Sequence, residues 1–196
     1  NKVCELAAES IPGCILQLIV YITNSELAGS YALVSVGISA LTTGFTSAMI
    51  AFDLDVDVPH RKMQPKFYGY IPNDHTSRGW VFVLMTLISS LHNISRSLGV
   101  ALLAVSGGNR FVASFVGGEI AVHLVYKLMR NDWYWHPRSE GMTKKIVAPV
   151  ARTLVKIVTD FSGCIHFRHP FEMGGVAFSF SMIWAQVMPF VALSMY

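Results

Sequence analysis

Apolar residues along this chain fall into long blocks instead of the scattered amphipathic spacing of a soluble domain. Five such blocks, at 3–22, 30–52, 80–105, 111–129 and 174–196, each hold about 20 residues, separated by charged or glycine-rich stretches. That is the length of helix needed to cross a ~30 Å hydrocarbon core. The pattern predicts an all-α fold: a polytopic transmembrane helix bundle with about five spanning helices, forming a single domain over 1–196. The first block lacks the basic leader and small-residue cleavage site of a signal peptide, and the opening at Asn1 instead of Met suggests a processed, truncated or partly ordered chain.

One further stretch has a different period. Ile146, Val150, Leu154, Ile157 and Phe161 fall on one helical face, with Lys145, Arg152 and Lys156 opposite. This predicts an amphipathic helix, either lying in the interface with its basic face toward anionic headgroups or re-entering and packing under the bundle. Just before it, Asp132, Trp133, Tyr134, Trp135 and His136 form an aromatic cluster of the interfacial kind.

Composition strengthens the membrane reading: 53% of the 196 residues are hydrophobic and 14% charged, against about 25% charged in ordinary soluble domains. The formal net charge of +3 matters through its distribution. Connector 53–79 carries Arg61, Lys62, Lys66 and Arg78, and connector 130–172 carries Arg130, Arg138, Lys144, Lys145, Arg152, Lys156 and Arg168. The short connector 23–29 has no basic residue, and 106–110 has only Arg110. By the positive-inside rule the N-terminus and the two longer connectors are expected to be cytoplasmic, in an integral protein of the plasma membrane. No interleaving of basic and aromatic residues points to nucleic acid. Cys4, Cys14 and Cys164 form no CxxC pair and read as small hydrophobes.

The candidate chemistry lies in polar stripes at bilayer depth. Ser89, His92, Asn93 and Arg96 stand at i, i+3, i+4 and i+7, on one narrow helical face. An Arg near the middle of a spanning helix costs about 2.5 to 3.5 kcal/mol on insertion scales, so Arg96 requires a partner. Glu5 and Glu9 share a face of the first block, with Gln17 about 80° away, and Glu9 is the favoured partner of Arg96. The fourth block adds Glu119, His123 and Tyr126; the second has Ser35, Ser39, Thr42 and Thr46 down one side; the fifth has Gly175, Ser179 and Gln186. Hydroxyl stripes often do no more than join helices. Full charges exceed what joining requires, which makes Glu5, Glu9, Arg96, Glu119 and His123 a functional set.

Other constellations fail. Cys164, His166 and His169 lack a fourth metal ligand at suitable spacing. The alternating Asp53, Asp55 and Asp57 lack the Gly and closing Glu of a calcium loop and read as a solvated helix end. The sequon Asn93-Ile94-Ser95 falls inside a span. With no HExxH, GxSxG, P-loop or dinucleotide glycine pattern, no enzyme activity, cofactor or metal is expected.

The run Glu9-Ser10-Ile11-Pro12-Gly13-Cys14-Ile15-Leu16-Gln17 resembles the Glu-Ser-x-Pro-Gln-x-x-Leu-Gln signature of the XK-related family of eukaryotic phospholipid scramblases. The order that follows is similar too: a Ser-rich span with an acidic exit, a span with His92, Asn93, Arg96, Ser97 and Leu98, a fourth span, an amphipathic helix and a final span. Gly13 stands where the family has Gln, and Gln186 where an acidic residue is expected in the last span. The resemblance implies movement of phospholipids between leaflets without nucleotide hydrolysis, with Glu5, Glu9, Gln17, Ser89, His92, Asn93, Arg96, Glu119 and His123 lining or bracing a headgroup track. Membrane phospholipids would be the partners, together with a cytoplasmic or membrane protein. An ion or solute pathway and a structural scaffold are the competing expectations.

Overall fold

The computed structural model describes residues 5–63, 65, 68–129, 142–163 and 176–194. Among them there is no strand, so the fold is all-α. A π-helical turn at Leu6–Ser10 leads into α1 (Ile11–Thr23), followed by α2 (Ser25–Val56), α3 (Val58–Met63), α4 (His75–Met129), α5 (Met142–Ser162) and α6 (Val176–Ser194). The wide turn precedes Pro12, whose ring would crowd the carbonyl four residues back in a regular helix; the Ile11 amide instead reaches the Leu6 carbonyl, five residues away. Two segments, Gly29–Val56 and His75–Met129, are long and apolar enough to cross a membrane.

Two glycines turn the chain back on itself. Gly29 (φ 56°) and Gly108 (φ 68°) adopt the left-handed backbone that a side chain disfavours. Ser39 Oγ donates to Gln17 Oε1 at 3.2 Å, although 22 residues of unbroken helix would span about 33 Å. α1 and α2 are therefore antiparallel, with the reversal at 24–29. Likewise Arg96 bonds Glu119, which makes α4 two antiparallel arms, 75–107 and 109–129. Both reversals fall on the short connectors expected from the hydrophobic pattern.

α2 packs against the first arm of α4 along small residues. Ala40, Thr43, Ser47, Ala48 and Ala51 are buried, and a Cβ placed on Gly44 would lie 2.1 Å from Ser90 Oγ. Toward the other end of the contact, Phe82 meets Phe45 and Phe52 edge to face at 5.4 and 6.0 Å. The expected hydroxyl stripe is therefore displaced: Thr42 is exposed and bonds its own helix at the Ile38 carbonyl, while Thr43 and Ser47 are buried. Helix crossing angle shifts which face is covered, and the smallest residues define the contact. Cys14, Leu18, Val36 and Ala101 join α1, α2 and α4 in one apolar cluster, and Ile11, Val100 and Phe161 bring in α5. α6 crosses α4 where Pro189 lies over Gly99, with only 2.9 Å between the Pro189 Cβ and a Cβ built on that glycine.

Polarity is distributed inside out. Thr43, Ser47, Ser89, Ser90, Asn93, Arg96, Ser97, Lys156, Thr159 and Asp160 are buried, while Leu16, Val34, Ile38, Ile88, Leu91, Val122 and Ile183 are more than half exposed. A soluble domain does the reverse with its charges.

The acidic run at the end of α2 is not a solvated helix end. Asp53 is exposed, but Asp55 has no exposed surface. Its carboxylate accepts the backbone amides of Gly69, Tyr70 and Ile71 at 2.8, 3.3 and 3.0 Å. Arg61 donates from Nε to the Asp55 carbonyl at 2.7 Å and brings its terminal amine to 3.7 Å from the carboxylate. Asp57 caps α3, accepting the His60 amide at 3.3 Å and pairing with its ring. Asp55 is thus a peg onto which 69–71 fold back, and it replaces water with amide donors, as a buried carboxylate requires. Burial raises the Tyr68 phenol above its ordinary pKa, and the Asp55 charge adds to the effect.

Asp74 caps α4, its carboxylate accepting the Ser77 amide at 3.0 Å and the Ser77 hydroxyl at 3.1 Å. The Ser77 amide, then its hydroxyl, hold the Asp74 carboxyl below the usual aspartate range. Because the folded value is the lower one, the cap's stabilisation is complete above the unfolded value of about 3.9 and is lost as pH falls through the folded one. Protection of the Ser77 amide, its exchange rate compared with that of an unstructured amide at the same pH, should fall over that acidic window in the wild type, and Asp74→Ala should show the low protection at every pH; protection independent of pH in wild type would contradict the cap.

Candidate functional site

The buried stripe of α4 is the polar centre of the molecule. Ser89, Asn93 and Arg96 are 7, 0 and 2% exposed, and His92 is half-buried. Arg96 pairs with Glu119, carried to it by the reversal at Gly108. The guanidinium also contacts the rings of Phe115 and Phe161, with centroids 5.3 and 5.4 Å from its central carbon. Cation–π contacts desolvated in this way contribute ~2 kcal/mol each. A carboxylate and two aromatic rings together replace part of its hydration shell.

α5 supplies the second half of the site. Lys156 and Asp160, one helical turn apart and both buried, pair with each other, and both act electrostatically on Glu119. The four charged groups, two cations and two carboxylates, cancel formally, which is the condition for holding them away from water. The Asp160 carbonyl lies 2.9 Å from His92 Nε2. Gln186 of α6 brings its amide nitrogen to 2.9 Å from that ring nitrogen and 3.4 Å from the same carbonyl. With Nε2 unprotonated, Gln186 donates to both; in the other tautomer Nε2–H donates to Asp160. α5 ends at Gly163 (φ 64°), whose amide bonds the Thr159 carbonyl at 2.8 Å and whose Cα faces His92, with a built Cβ 3.4 Å from the ring. The site therefore joins both arms of α4 to α5 and α6.

Some buried polar atoms remain unsatisfied. Asn93 Oδ1 accepts from Ser97 Oγ at 3.1 Å. Asn93 Nδ2 and Glu119 Oε1 are buried without a hydrogen-bond partner among the described residues. Such atoms favour rearrangement or an added polar ligand.

Not every expected residue belongs to this centre. The favoured pair of Glu9 with Arg96 is not formed: Glu5 and Glu9 are exposed, and the recorded ion pair of Arg96 is with Glu119. The reason is topological, since Arg96 and Glu119 lie 12 and 11 residues either side of Gly108 and so come to one level when the arms close. Gln17 bonds α2 through Ser39, away from the charged cluster. His123 is half-buried one turn beyond Glu119, and Tyr126 is exposed. Among the described residues, no cluster of His, Cys, Asp or Glu could hold a metal ion. Cys164, His166 and His169, the aromatic cluster at 132–136, and Gly175 lie outside the described residues, as do the side chains of Lys145 and Ile146.

α5 also departs from expectation. Lys156, on the face expected to meet headgroups, is buried, whereas Val150 and Leu154 of the apolar face are 56 and 58% exposed. Among the described side chains of that face Phe161 is buried and Ile157 partly so. Lys156 turns inward where Asp160 neutralises it. Asp160 and Phe115 are the site residues that sequence reasoning missed; the i, i+4 spacing of Lys156 and Asp160 was the signal available.

Comparison with known protein families, with curated proteins and with solved structures finds no match.

Proposed function

We propose that this chain is a polytopic membrane protein that moves phospholipids between leaflets, held closed by the Arg96–Glu119 pair. The observation that carries the reading is the inversion of polarity: two ion pairs from three helical segments sit inside while large apolar side chains cover the outside. That arrangement suits hydrocarbon around the helices and a polar route within. Five spans, formed by α1, α2, the two arms of α4 and α6, with α5 re-entrant, account for the hydrophobic blocks. The resemblance of 9–17 to the XK-related signature supplies the lipid substrate. The charges are poised for the task, since a guanidinium that releases Glu119 can take a phosphate by the same geometry.

The test is bleaching of fluorescent phospholipid in proteoliposomes by a membrane-impermeant reductant. Empty vesicles lose only their outer-leaflet signal; vesicles holding the protein are expected to lose more, and Asp160→Asn, which leaves buried Lys156 without its carboxylate, to lose it faster. Equal bleaching with and without protein, for wild type and Asp160→Asn alike, would rule the reading out.

One observation favours a static brace instead. Arg96 is flanked by two rings and a carboxylate, which leaves little of it for a phosphate. On that reading Asp160→Asn lowers stability and changes no lipid movement.

A further inference from the structure

The second arm of α4 carries a ladder of titratable groups that the ion pairs do not account for. Glu119, His123 and Lys127 follow one another at i, i+4 and i+8, so they share one helical face over about 12 Å. Lys127 is 5% exposed, Glu119 has 8% of its side chain exposed, and His123 is half-buried with its Nε2 atom covered. This face turns toward the first arm, because Glu119 meets Arg96 there. Distance from Gly108 sets the remaining levels: Asn93 and His123 each lie 15 residues from it, and Ser89 and Lys127 each 19. Arg96, Asn93 and Ser89 therefore stand at the levels of Glu119, His123 and Lys127. A polar seam runs from the charged centre to within two residues of Met129, where the arm ends.

At the inner end of this seam one oxygen of Glu119 is unused. Its Oε2 accepts from Arg96, while Oε1 is buried with no hydrogen-bond partner among the described residues. We infer that Glu119 Oε1 is a proton-binding site, loaded from the Met129 end of the seam through His123, and that loading it unlocks the Arg96–Glu119 pair. The inference rests on the membrane reading proposed above and names the trigger of that same site. Water protonates His123; the imidazolium then gives its ring N–H proton to Oε1, and the nitrogen lone pair left behind accepts the new O–H as a hydrogen bond. Side chains four apart on a helix are neighbours, which puts this transfer within reach of ordinary rotamers. Buried Lys127 needs polar surroundings, which keeps the outer end of the seam open to water. Charge balance gives the consequence. Before loading, Arg96 and Lys156 offset Glu119 and Asp160; Gln186 of α6 adds no charge, and His92, the other titratable group of the first-arm stripe, is engaged with Gln186 and the Asp160 carbonyl. Glu5 and Glu9 are exposed and take no part. After loading, two cations face one carboxylate, and a buried guanidinium without its counter-charge is driven toward water or an anion.

The experiment is infrared difference spectroscopy of the full chain in phosphatidylcholine liposomes, acidified from about pH 8 to about pH 5, the range in which a histidine titrates. Wild type should gain the C=O band of a buried carboxylic acid. Glu119→Gln should lose that band, and Glu119→Asp, which keeps a titratable oxygen, should retain it at a shifted position, so that a loss in the first variant is not mistaken for unfolding. After a rapid drop in pH, His123→Gln should reach the same band on the order of a hundredfold more slowly, the usual effect of removing a positioned proton-transfer group. No acid band in wild type, a band undiminished by Glu119→Gln, or an unchanged rate in His123→Gln would overturn the assignment. The band is read without any lipid movement. Its presence with no leaflet exchange would reject scrambling and keep the proton site, whereas leaflet exchange independent of pH, with no acid band, would do the opposite.

Discussion

Replacing Arg96 with Met should destabilise the protein by ~3 to 5 kcal/mol, the cost of leaving a buried carboxylate without its partner. Glu119 has 8% of its side chain exposed and its Oε1 already lacks a hydrogen bond among the described residues, so its loss is not relieved by water. Two aromatic contacts go with the guanidinium. Methionine approximates the length of the arginine stem, so the change removes charge more than volume. Glu119→Gln alone should cost less, because Arg96 keeps its rings and an amide oxygen. The double variant Arg96→Met/Glu119→Gln should recover much of the single arginine loss, since neither charge is then orphaned. Unfolding in detergent micelles measures all three, and additive single losses would show that the two groups do not stabilise each other.

The same cycle separates a brace from a route. A brace predicts that the double variant regains both stability and every other property of the wild type. A route predicts that stability returns while lipid exchange does not, because the phosphate's binding group is gone. The contact of His92 with the Asp160 carbonyl remains to join α5 to α4 in both cases.

The helices and their reversals were legible in the sequence because their causes are local. Runs of apolar residues make helices, and glycines at 29 and 108 permit a backbone that side chains resist. The stripe of Ser89, Asn93 and Arg96 was legible too, since helical period alone puts them on one face. Partners were not. Arg96 had carboxylates available in the first and fourth blocks, and periodicity does not decide between blocks; counting equal distances from Gly108 would have favoured Glu119 over Glu9. Asp55 looked solvated because the amides that bury it arrive from 69–71, after an intervening helix. In α5 the period was legible but not which positions are covered, since Lys156 and Phe161 of opposite faces are both buried while Val150 and Leu154 are exposed. An amphipathic period is the same whether the outside is water or hydrocarbon, and only Asp160 beside Lys156 signals that the basic edge can be neutralised and turned inward.

Gly44→Ala, a change of one methyl group, should cost about 1 to 3 kcal/mol, the range for overpacking a well-filled contact. The glycine lies in the row Ala40, Gly44, Ala48 that brings α2 against the first arm of α4. The added Cβ would sit 2.1 Å from Ser90 Oγ, 2.5 Å from the Thr86 carbonyl oxygen and 2.8 Å from the Ser90 nitrogen. A rotated hydroxyl would relieve the first of these, but the other two are backbone, so the helices themselves must separate. Ser90→Ala in the Gly44→Ala background should therefore restore only part of the loss. It also removes the Ser90 hydroxyl's bond to the Thr86 carbonyl at 2.7 Å, which frees that oxygen without moving it. Gly37 provides the control on the same helix: nothing lies within 4 Å of a Cβ there, so Gly37→Ala should be neutral or stabilising by up to ~1 kcal/mol from helix propensity. Unfolding midpoints in detergent compare the two positions. Equal midpoints for Gly37→Ala and Gly44→Ala would mean that α2 and α4 are not in close contact, and the inward-facing polar centre that depends on their packing would lose its frame.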